Sequence, residues 1–186
     1  TEIYTLSLHD ALPIYVERES PLAITLAQCL SSADRMDITL QKSTELGVSR
    51  IVPLASRRSV VKLSSERTDK RVAHWRNVLV AACEQCGRNR VPKVDAIADL
   101  ADFLEAPGGE GARVLLAPDA GRDLKSLAHS NTVTLLVGPE GGLAPEERGQ
   151  AEASGFVPIR FGPRVLRTET APLAAIAAMQ ALWGDC

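Results

Sequence analysis

The feature that most constrains the fold is an alternation of short apolar segments with amphipathic ones, which begins near Pro21. Apolar runs predict strands at residues 22–30, 51–54, 114–117, 133–137 and 157–161. Helical periodicity predicts helices at residues 34–46, 68–86, 96–104, 145–153 and 170–183. Strands that alternate with helices favour an α/β fold whose parallel sheet is covered on both faces. In such a sheet, ligands bind beyond the carboxyl ends of the strands.

Residues at the ends of the predicted helices support the predicted helix boundaries. Asp34 is a candidate N-cap of the first helix, and Thr170 is a candidate cap of the last one. Gly47 and Gly87 follow two of the helices, at the position where a left-handed backbone conformation ends a helix. Pro145 suits a first helical turn, where its missing N–H costs no hydrogen bond.

The chain length of 186 residues suits one α/β domain. Residues 1–14 have no clear period and resemble translated sequencing-adapter sequence, so they are expected to be a non-native leader. The expected domain then spans residues 15–186. The sequence has no apolar run long enough to span a membrane and no secretory signal pattern. The spacing of the four cysteines does not suggest a disulfide framework, which favours a reduced cytoplasmic protein.

Basic residues are concentrated in one part of the chain. Between Arg50 and Lys93 there are eleven Lys and Arg residues and three Asp and Glu residues, although the whole chain has a net charge of −2. This concentration is typical of a surface that neutralises nucleic-acid phosphates, although a solvated face would have the same pattern. Cys83 and Cys86 lie within a predicted helix without a second ligand pair, which favours ordinary helix residues over a zinc site.

Two loops join a predicted strand to a predicted helix and carry unusual residues. The first, at residues 138–142, has the sequence GPEGG, whose glycines allow close approach of a ligand to the backbone. It is neither a dinucleotide fingerprint nor a P-loop, so its spacing leaves open both a nucleotide-like ligand and a simple turn. The second, at residues 161–171, contains two arginines and a glutamate. An arginine there can hold a phosphate or stabilise negative charge that develops on a base.

Four segments together resemble a known family. They are residues 41–48, 84–92, 138–142 and 162–171, with the sequences QKSTELGV, EQCGRNRVP, GPEGG and GPRVLRTETA. This set is similar to the 16S ribosomal RNA uracil-N3 methyltransferases, which belong to the SPOUT class with a C-terminal trefoil knot. The resemblance extends from about residue 21 to residue 186. It implies a knotted α/β methyltransferase domain, and that the family's N-terminal PUA-like barrel is essentially missing from this chain.

The resemblance also implies a cofactor, partners and a reaction. The cofactor would be S-adenosylmethionine, held by the two loops, and no metal would be required. The enzyme would work as a homodimer on one uridine of 16S ribosomal RNA in the small ribosomal subunit. The residues implied as cofactor-binding are Leu136, Val137, Gly138, Pro139, Glu140, Gly141, Gly142, Phe161, Gly162, Val165, Leu166, Arg167, Thr168 and Thr170.

Two further sets of residues follow from the same resemblance. Arg167 is expected to stabilise the anionic base during methyl transfer, and Glu169 is expected to accept its proton. The residues expected to contact RNA are Lys42, Arg57, Arg58, Arg71, Arg88 and Arg90.

Three alternatives remain open. The first is another SPOUT enzyme that methylates transfer RNA or a ribose 2′-oxygen. The second is an RNA-binding fragment without catalysis, which accounts for the basic segment but leaves both loops without a task. The third is a dinucleotide-dependent oxidoreductase, against which the missing glycine fingerprint argues.

Overall fold

The computed structural model describes residues 16–59, 65–107 and 109–186. The predicted leader at residues 1–14 lies outside these ranges. In chain order the elements are β1 (Ala23–Cys29), α1 (Ala33–Glu45), β2 (Arg50–Ala55), α2 (Ser65–Cys86), β3 (Lys93–Val94), β4 (Ala98–Asp99), α3 (Leu100–Glu105), β5 (Ala112–Leu116), β6 (Thr132–Val137), α4 (Pro145–Ala153), β7 (Val157–Ile159) and α5 (Thr170–Trp183). The five predicted strands and five predicted helices are all present, which confirms the α/β fold class.

The seven strands found in these ranges form one sheet in the order β3-β2-β1-β6-β5-β7, with β4 also paired to β2. All of these strand pairs are parallel. The first half of the chain therefore builds one side of the sheet, and the later strands β6, β5 and β7 build the other. Because these strands are parallel, the loops that follow β5, β6 and β7 all lie at the same edge of the sheet.

Helices cover both faces of the sheet, and the alternation of side chains along β1 shows how. Ile24 and Leu26 are fully buried in a cluster with residues of α1, α2 and α5, whereas Ala27 and Cys29 belong to a second cluster with residues of α3 and α4. A strand buried on both faces reads as a continuous apolar run rather than an alternating one. This explains why the apolar runs of the sequence marked these strands.

Several predicted boundaries need correction. Ser32, rather than Asp34, occupies the N-cap position of α1, and Asp34 lies in the first turn, where a carboxylate is favoured by the helix dipole. Glu169, rather than Thr170, precedes α5. The helix predicted at residues 96–104 begins only at Leu100, because Asp99 accepts a hydrogen bond from the Ala101 N–H at 2.9 Å and caps it.

The short edge strands β3 and β4 were not predicted. Each has two residues, and the two pair with opposite ends of β2. The final strand is shorter than predicted, since its pairing with β5 ends at Ile159. Gly47 and Gly87 have φ angles of 87° and 78°, which confirms their predicted place after helices α1 and α2. Within the described ranges, no helix is both long enough and apolar enough to cross a membrane.

Candidate active site

A cavity of about 600 Å³ lies at the carboxyl ends of β5, β6 and β7. Its walls come from the three loops that follow these strands, at residues 117–119, 138–143 and 161–169. The last residues of the strands, Arg35 of α1 and Arg148 of α4 also contribute to the lining. The position agrees with the general rule that parallel α/β sheets bind ligands at this edge, and the volume suits a small-molecule ligand.

The loop after β6 is a tight glycine-rich turn. Gly142 has a φ of 66°, and its N–H donates to the Pro139 carbonyl at 2.8 Å. A Cβ atom at Gly138 would approach the backbone nitrogen of Leu143 to 3.2 Å, so a side chain there would crowd the turn. Glycine at these two positions therefore permits the backbone itself to form a wall of the cavity.

Two arginines after β2 hold this turn and the following helix from outside. The Arg58 guanidinium donates to the Gly141 carbonyl at 2.8 Å. The Arg57 N–H donates to the Glu147 carboxylate at 2.7 Å, and the same carboxylate accepts from the Ala144 N–H at 2.8 Å. The loop after β2 is thereby fastened to the first turn of α4.

The loop after β7 is joined to the glycine-rich turn by a buried hydroxyl group. Thr168 is buried, and its Oγ1 donates to the Gly138 carbonyl at 3.0 Å. The buried Gln28 side chain, at the end of β1, lies 3.4 Å from the same hydroxyl and donates to the Cys29 carbonyl at 3.0 Å. The two loops that the sequence identified separately therefore form one site, although β5 lies between their strands in the sheet.

The charged side chains of the site differ in how far they are neutralised. Arg148 pairs with Asp119 at 2.6 Å and with Glu152 at 2.9 Å. These hydrogen bonds from Arg148 hold the pKa of the exposed Asp119 below its ordinary value. By contrast, the exposed Arg164 and Arg167, which also line the cavity, have no ion-pair partner among the acidic residues that the structure describes.

The Glu169 carboxylate lies at the cavity wall beside Arg35. Its side chain is 18% exposed and lines the cavity. Within the described part of the chain its Oε2 atom is buried without a hydrogen-bond partner, and the nearest cation is the Arg35 Nε at 3.7 Å. That separation is within the range of an ion pair but is too long for a strong hydrogen bond.

Most of the residues expected to bind a cofactor line this cavity. Of the fourteen, Leu136, Gly162 and Thr170 do not. Leu136 is fully buried in the core behind the turn. Gly162 has a φ of 74° and turns the chain after β7, and Thr170 begins α5.

The sequence missed part of the lining, above all residues 115–119, Arg35 and Arg148. Residues 115 and 116 end the strand β5 and residues 117–119 follow it, but the segment lacks the cluster of glycines or charges that marks the two predicted loops. Its strand, β5, lies between β6 and β7 in the sheet, an order that the sequence does not reveal.

The residues expected to contact RNA do not form one group. Arg57 and Arg58 follow β2 at the cavity edge, and Arg71 lies in the first half of α2. Lys42, in the last turn of α1, pairs with Glu45, and the 72% exposed Arg90 pairs with Glu17. Because α1 and α2 run back across the sheet, their ends lie at the opposite edge from the cavity.

Arg88 has a structural role that conflicts with its expected contact with RNA. Its side chain is only 4% exposed. It donates to the carbonyls of Thr44 and Val48 at 2.7 and 2.9 Å, and it forms a two-pronged ion pair with Glu19. The guanidinium therefore holds the end of α1 and is not available to phosphates.

Neither a metal site nor a disulfide is formed by the residues that the structure describes. No group of three or more metal-binding side chains occurs among them. Cys29, Cys83, Cys86 and Cys186 are free thiols. Burial raises the pKa of the Cys29 thiol to about 12, with smaller effects from a hydrogen bond to Ser56, which opposes the rise, and from the charge of Glu147.

The sequence matches a family model described as an RNA methyltransferase domain over residues 18–180. Curated relatives include the ribosomal RNA small subunit methyltransferase E of Buchnera aphidicola, which is 38% identical over 90% of this chain and 68% of the relative. The protein of the same name from Bacillus subtilis is 32% identical over 87% of this chain and 67% of the relative. The chain therefore spans about two thirds of the length of these relatives.

Solved structures give the same result for the fold. A methyltransferase from Legionella pneumophila in complex with the cofactor SAM has a TM-score of 0.89 and 41% identity, covering 92% of this chain and 71% of that one. A ribosomal RNA small subunit methyltransferase E from Neisseria gonorrhoeae, bound to S-adenosylmethionine, has a TM-score of 0.85 and 48% identity, covering 90% of this chain and 69% of that one. The chain belongs to the RNA methyltransferase family that includes the ribosomal RNA small subunit methyltransferases E.

Proposed function

We propose that this chain transfers a methyl group from S-adenosylmethionine to N3 of a uridine in small-subunit ribosomal RNA. The observation that carries the proposal is the construction of the cavity. Two loops joined at Thr168 and Gly138 enclose it, and its lining includes Arg167, which has no ion-pair partner among the described acidic residues, and the Glu169 carboxylate. The relatives that share the fold are named as methyltransferases of small-subunit ribosomal RNA.

The residues of the cavity fit the cofactor. The volume of about 600 Å³ lies within the range of roughly 300 to 1,000 Å³ that is usual for small-molecule sites. Backbone groups of residues 137–142 and 161–168 would hold it, because glycines keep the wall after β6 free of side chains. Two relatives with at least 41% identity have been solved with the same cofactor bound.

The chemistry of uracil suggests roles for Glu169 and Arg167, which line the cavity. Neutral uracil N3 carries a proton and is a poor nucleophile, so the proton must leave as the new N–C bond forms. Glu169, whose side chain lines the cavity, would accept that proton. Arg167 would stabilise the negative charge that develops on the base. The bound cofactor supplies a methyl group on a sulfonium centre, which leaves as a neutral thioether when the methyl is transferred.

Other parts of the expected enzyme belong to the same proposal. Arg57, Arg58 and Arg71 lie on the cavity side and would guide RNA to it, while Lys42 and Arg90 would contact RNA only if it reaches the opposite edge. The family resemblance supports a homodimer, a trefoil knot formed around the loops at residues 138–142 and 161–170, and action in the cytoplasm. It also supports assignment of residues 15–186 to the methyltransferase domain.

Transfer of radiolabelled methyl groups tests the reaction itself. The purified chain is incubated with labelled S-adenosylmethionine and, in separate reactions, with small-subunit RNA, small ribosomal subunits and transfer RNA. We expect label in the small-subunit samples alone, and mass spectrometry of nucleosides should identify 3-methyluridine. A label on transfer RNA or on a ribose 2′-oxygen would replace the proposal with one of the other SPOUT activities.

A further inference from the structure

Arg35 occupies a position that a cation does not normally favour. It lies in the first turn of α1, where the helix dipole attracts negative charge and repels positive charge. Its side chain is 37% exposed and lines the cavity. An unfavourable local choice of this kind is expected where a residue serves the site rather than the helix.

The guanidinium of Arg35 lies between carboxylates from both site loops. Its Nη1 donates to Glu140 Oε1 at 2.9 Å, and the Ser32 N–H donates to the same oxygen at 3.3 Å. Its Nε lies 3.7 Å from Glu169 Oε2. One side chain of α1 therefore links the turn after β6 to the loop after β7, and the planar fork of arginine can reach two partners in a way that a lysine cannot.

The carboxylates of Glu140 and Glu169 differ in the hydrogen bonds that they accept. Burial disfavours the charged form of Glu140, but hydrogen bonds from its own N–H, from Ser32 and from Arg35 outweigh burial and lower its pKa. Glu140 is therefore a fixed anion and an unsuitable proton acceptor. At Glu169, by contrast, the buried Oε2 atom accepts no hydrogen bond from the described residues.

We propose that Arg35 is a positioning residue: Glu140 anchors its guanidinium, and the guanidinium holds the Glu169 carboxylate at the cavity wall through the buried Oε2 atom of that carboxylate. This inference rests on the proposed function of Glu169. It assigns Glu140 to the support of Arg35 rather than to the chemistry. The charged groups that share the cavity with Glu169 are Arg35, Asp119, Glu140, Arg148, Arg164 and Arg167.

Crystal structures of Arg35→Ala and Arg35→Lys test the positioning without any need for activity. In Arg35→Ala we expect the Glu169 carboxylate to leave its position beside the cavity, while the turn after β6 stays in place through the Ser32 contact to Glu140. In Arg35→Lys we expect only one of the two carboxylates to be held. A Glu169 carboxylate that does not move in Arg35→Ala would overturn the proposal.

Measurement of kcat and KM tests the positioning role of Arg35 independently. Because a misplacement of about 1 Å can cost roughly a hundredfold in rate, we expect Arg35→Ala to lower kcat by about ten- to a hundredfold with less than about a threefold change in KM for S-adenosylmethionine. Arg35→Lys should recover part of the loss. A rise in KM without a fall in kcat would instead make Arg35 a cofactor-binding residue and would contradict the positioning role.

A double-mutant cycle separates action through Glu169 from any other cause. Adding Arg35→Ala to Glu169→Gln should cost little further activity, since both changes remove one function. Arg148→Ala is the matched control, because Arg148 lines the same cavity but pairs with Asp119 and Glu152, so its effect should add to that of Glu169→Gln. Additive losses of activity for Arg35→Ala and Glu169→Gln would contradict the positioning role. A folded wild-type chain that transfers no methyl group would instead contradict the proposed function. In that case the crystal structures of the Arg35 variants alone would decide the role of Arg35.

Discussion

Replacement of Arg167 by alanine is expected to lower methyl transfer to RNA by about a hundredfold or more, because loss of one preorganised group that stabilises developing charge costs about that much. The side chain lines the cavity and has no ion-pair partner among the described acidic residues, so its charge is available to the base. Its backbone carbonyl accepts from the Thr170 and Ala171 N–H groups at 3.0 and 2.9 Å, and these contacts do not depend on the side chain. The loop should therefore keep its shape in the variant.

The measurement is single-turnover methyl transfer at saturating cofactor, together with calorimetric titration of S-adenosylmethionine. Cofactor affinity should change less than about threefold, since the lost interaction is made with the base in the transition state. Arg164→Ala is the matched control, because Arg164 is exposed in the same loop and lines the same cavity. It should show a much smaller loss of rate. Near-normal turnover in an Arg167→Ala enzyme that binds cofactor would refute the assignment.

Replacement of Arg88 by alanine is expected to lower the free energy of unfolding by about 3 kcal/mol, since removal of one partner of a buried ion pair leaves an uncompensated charge. The 4% exposed guanidinium binds Glu19 and two carbonyl groups at the end of α1. The Glu19 carboxylate and the Val48 carbonyl would lose this donor, whereas the Thr44 carbonyl would keep the Gly47 N–H at 3.1 Å. Urea denaturation followed by circular dichroism measures the change.

Arg90→Ala is the control for this prediction. Arg90 is two residues away and 72% exposed, and its pair with Glu17 is on the surface. An exposed pair contributes little, so the change in unfolding free energy should stay below about 0.5 kcal/mol. If Arg88→Ala were as stable as Arg90→Ala but bound RNA more weakly, the contact with RNA suggested by the sequence would be correct and the structural role wrong.

The sequence predicted the parts of the fold that depend on local pattern. The strands are buried on both faces, so each appears as an apolar run, and the helices α4 and α5 match their predicted bounds at residues 145–153 and 170–183. The strands β3 and β4 could not be predicted in the same way. Each has two residues, and their extended conformation depends on pairing with β2, which is distant in the chain.

The candidate site was predicted where glycines or charges mark a loop and missed where the sheet order matters. The composition of residues 138–142 and 161–169 identified both loops, and Thr168 joins them by its hydrogen bond to the Gly138 carbonyl. Arg35 and residues 115–119 reach the cavity because β1, β6, β5 and β7 are adjacent in the sheet. That order is a tertiary property, which periodicity along the chain does not contain.

The basic segment illustrates a different limit of sequence interpretation. A local excess of positive charge does not reveal which guanidinium groups face solvent. Arg88 is buried against the end of α1, whereas Arg58 is exposed and supports the glycine-rich turn. The spacing of the segment is compatible with both outcomes, and only the packing of α2 and the loop after β2 distinguishes them.

Calorimetric titration of the purified chain with S-adenosylmethionine tests whether the cavity between the two joined loops binds this cofactor. We expect saturable binding with a stoichiometry near one per chain. Thr168→Val should weaken binding, since the hydroxyl that joins the loops is lost. Thr134→Val should leave binding unchanged, because Thr134 lies on β6 outside the cavity lining. A folded sample that shows no binding, or binding that Thr168→Val leaves unchanged, would contradict cofactor binding in this cavity.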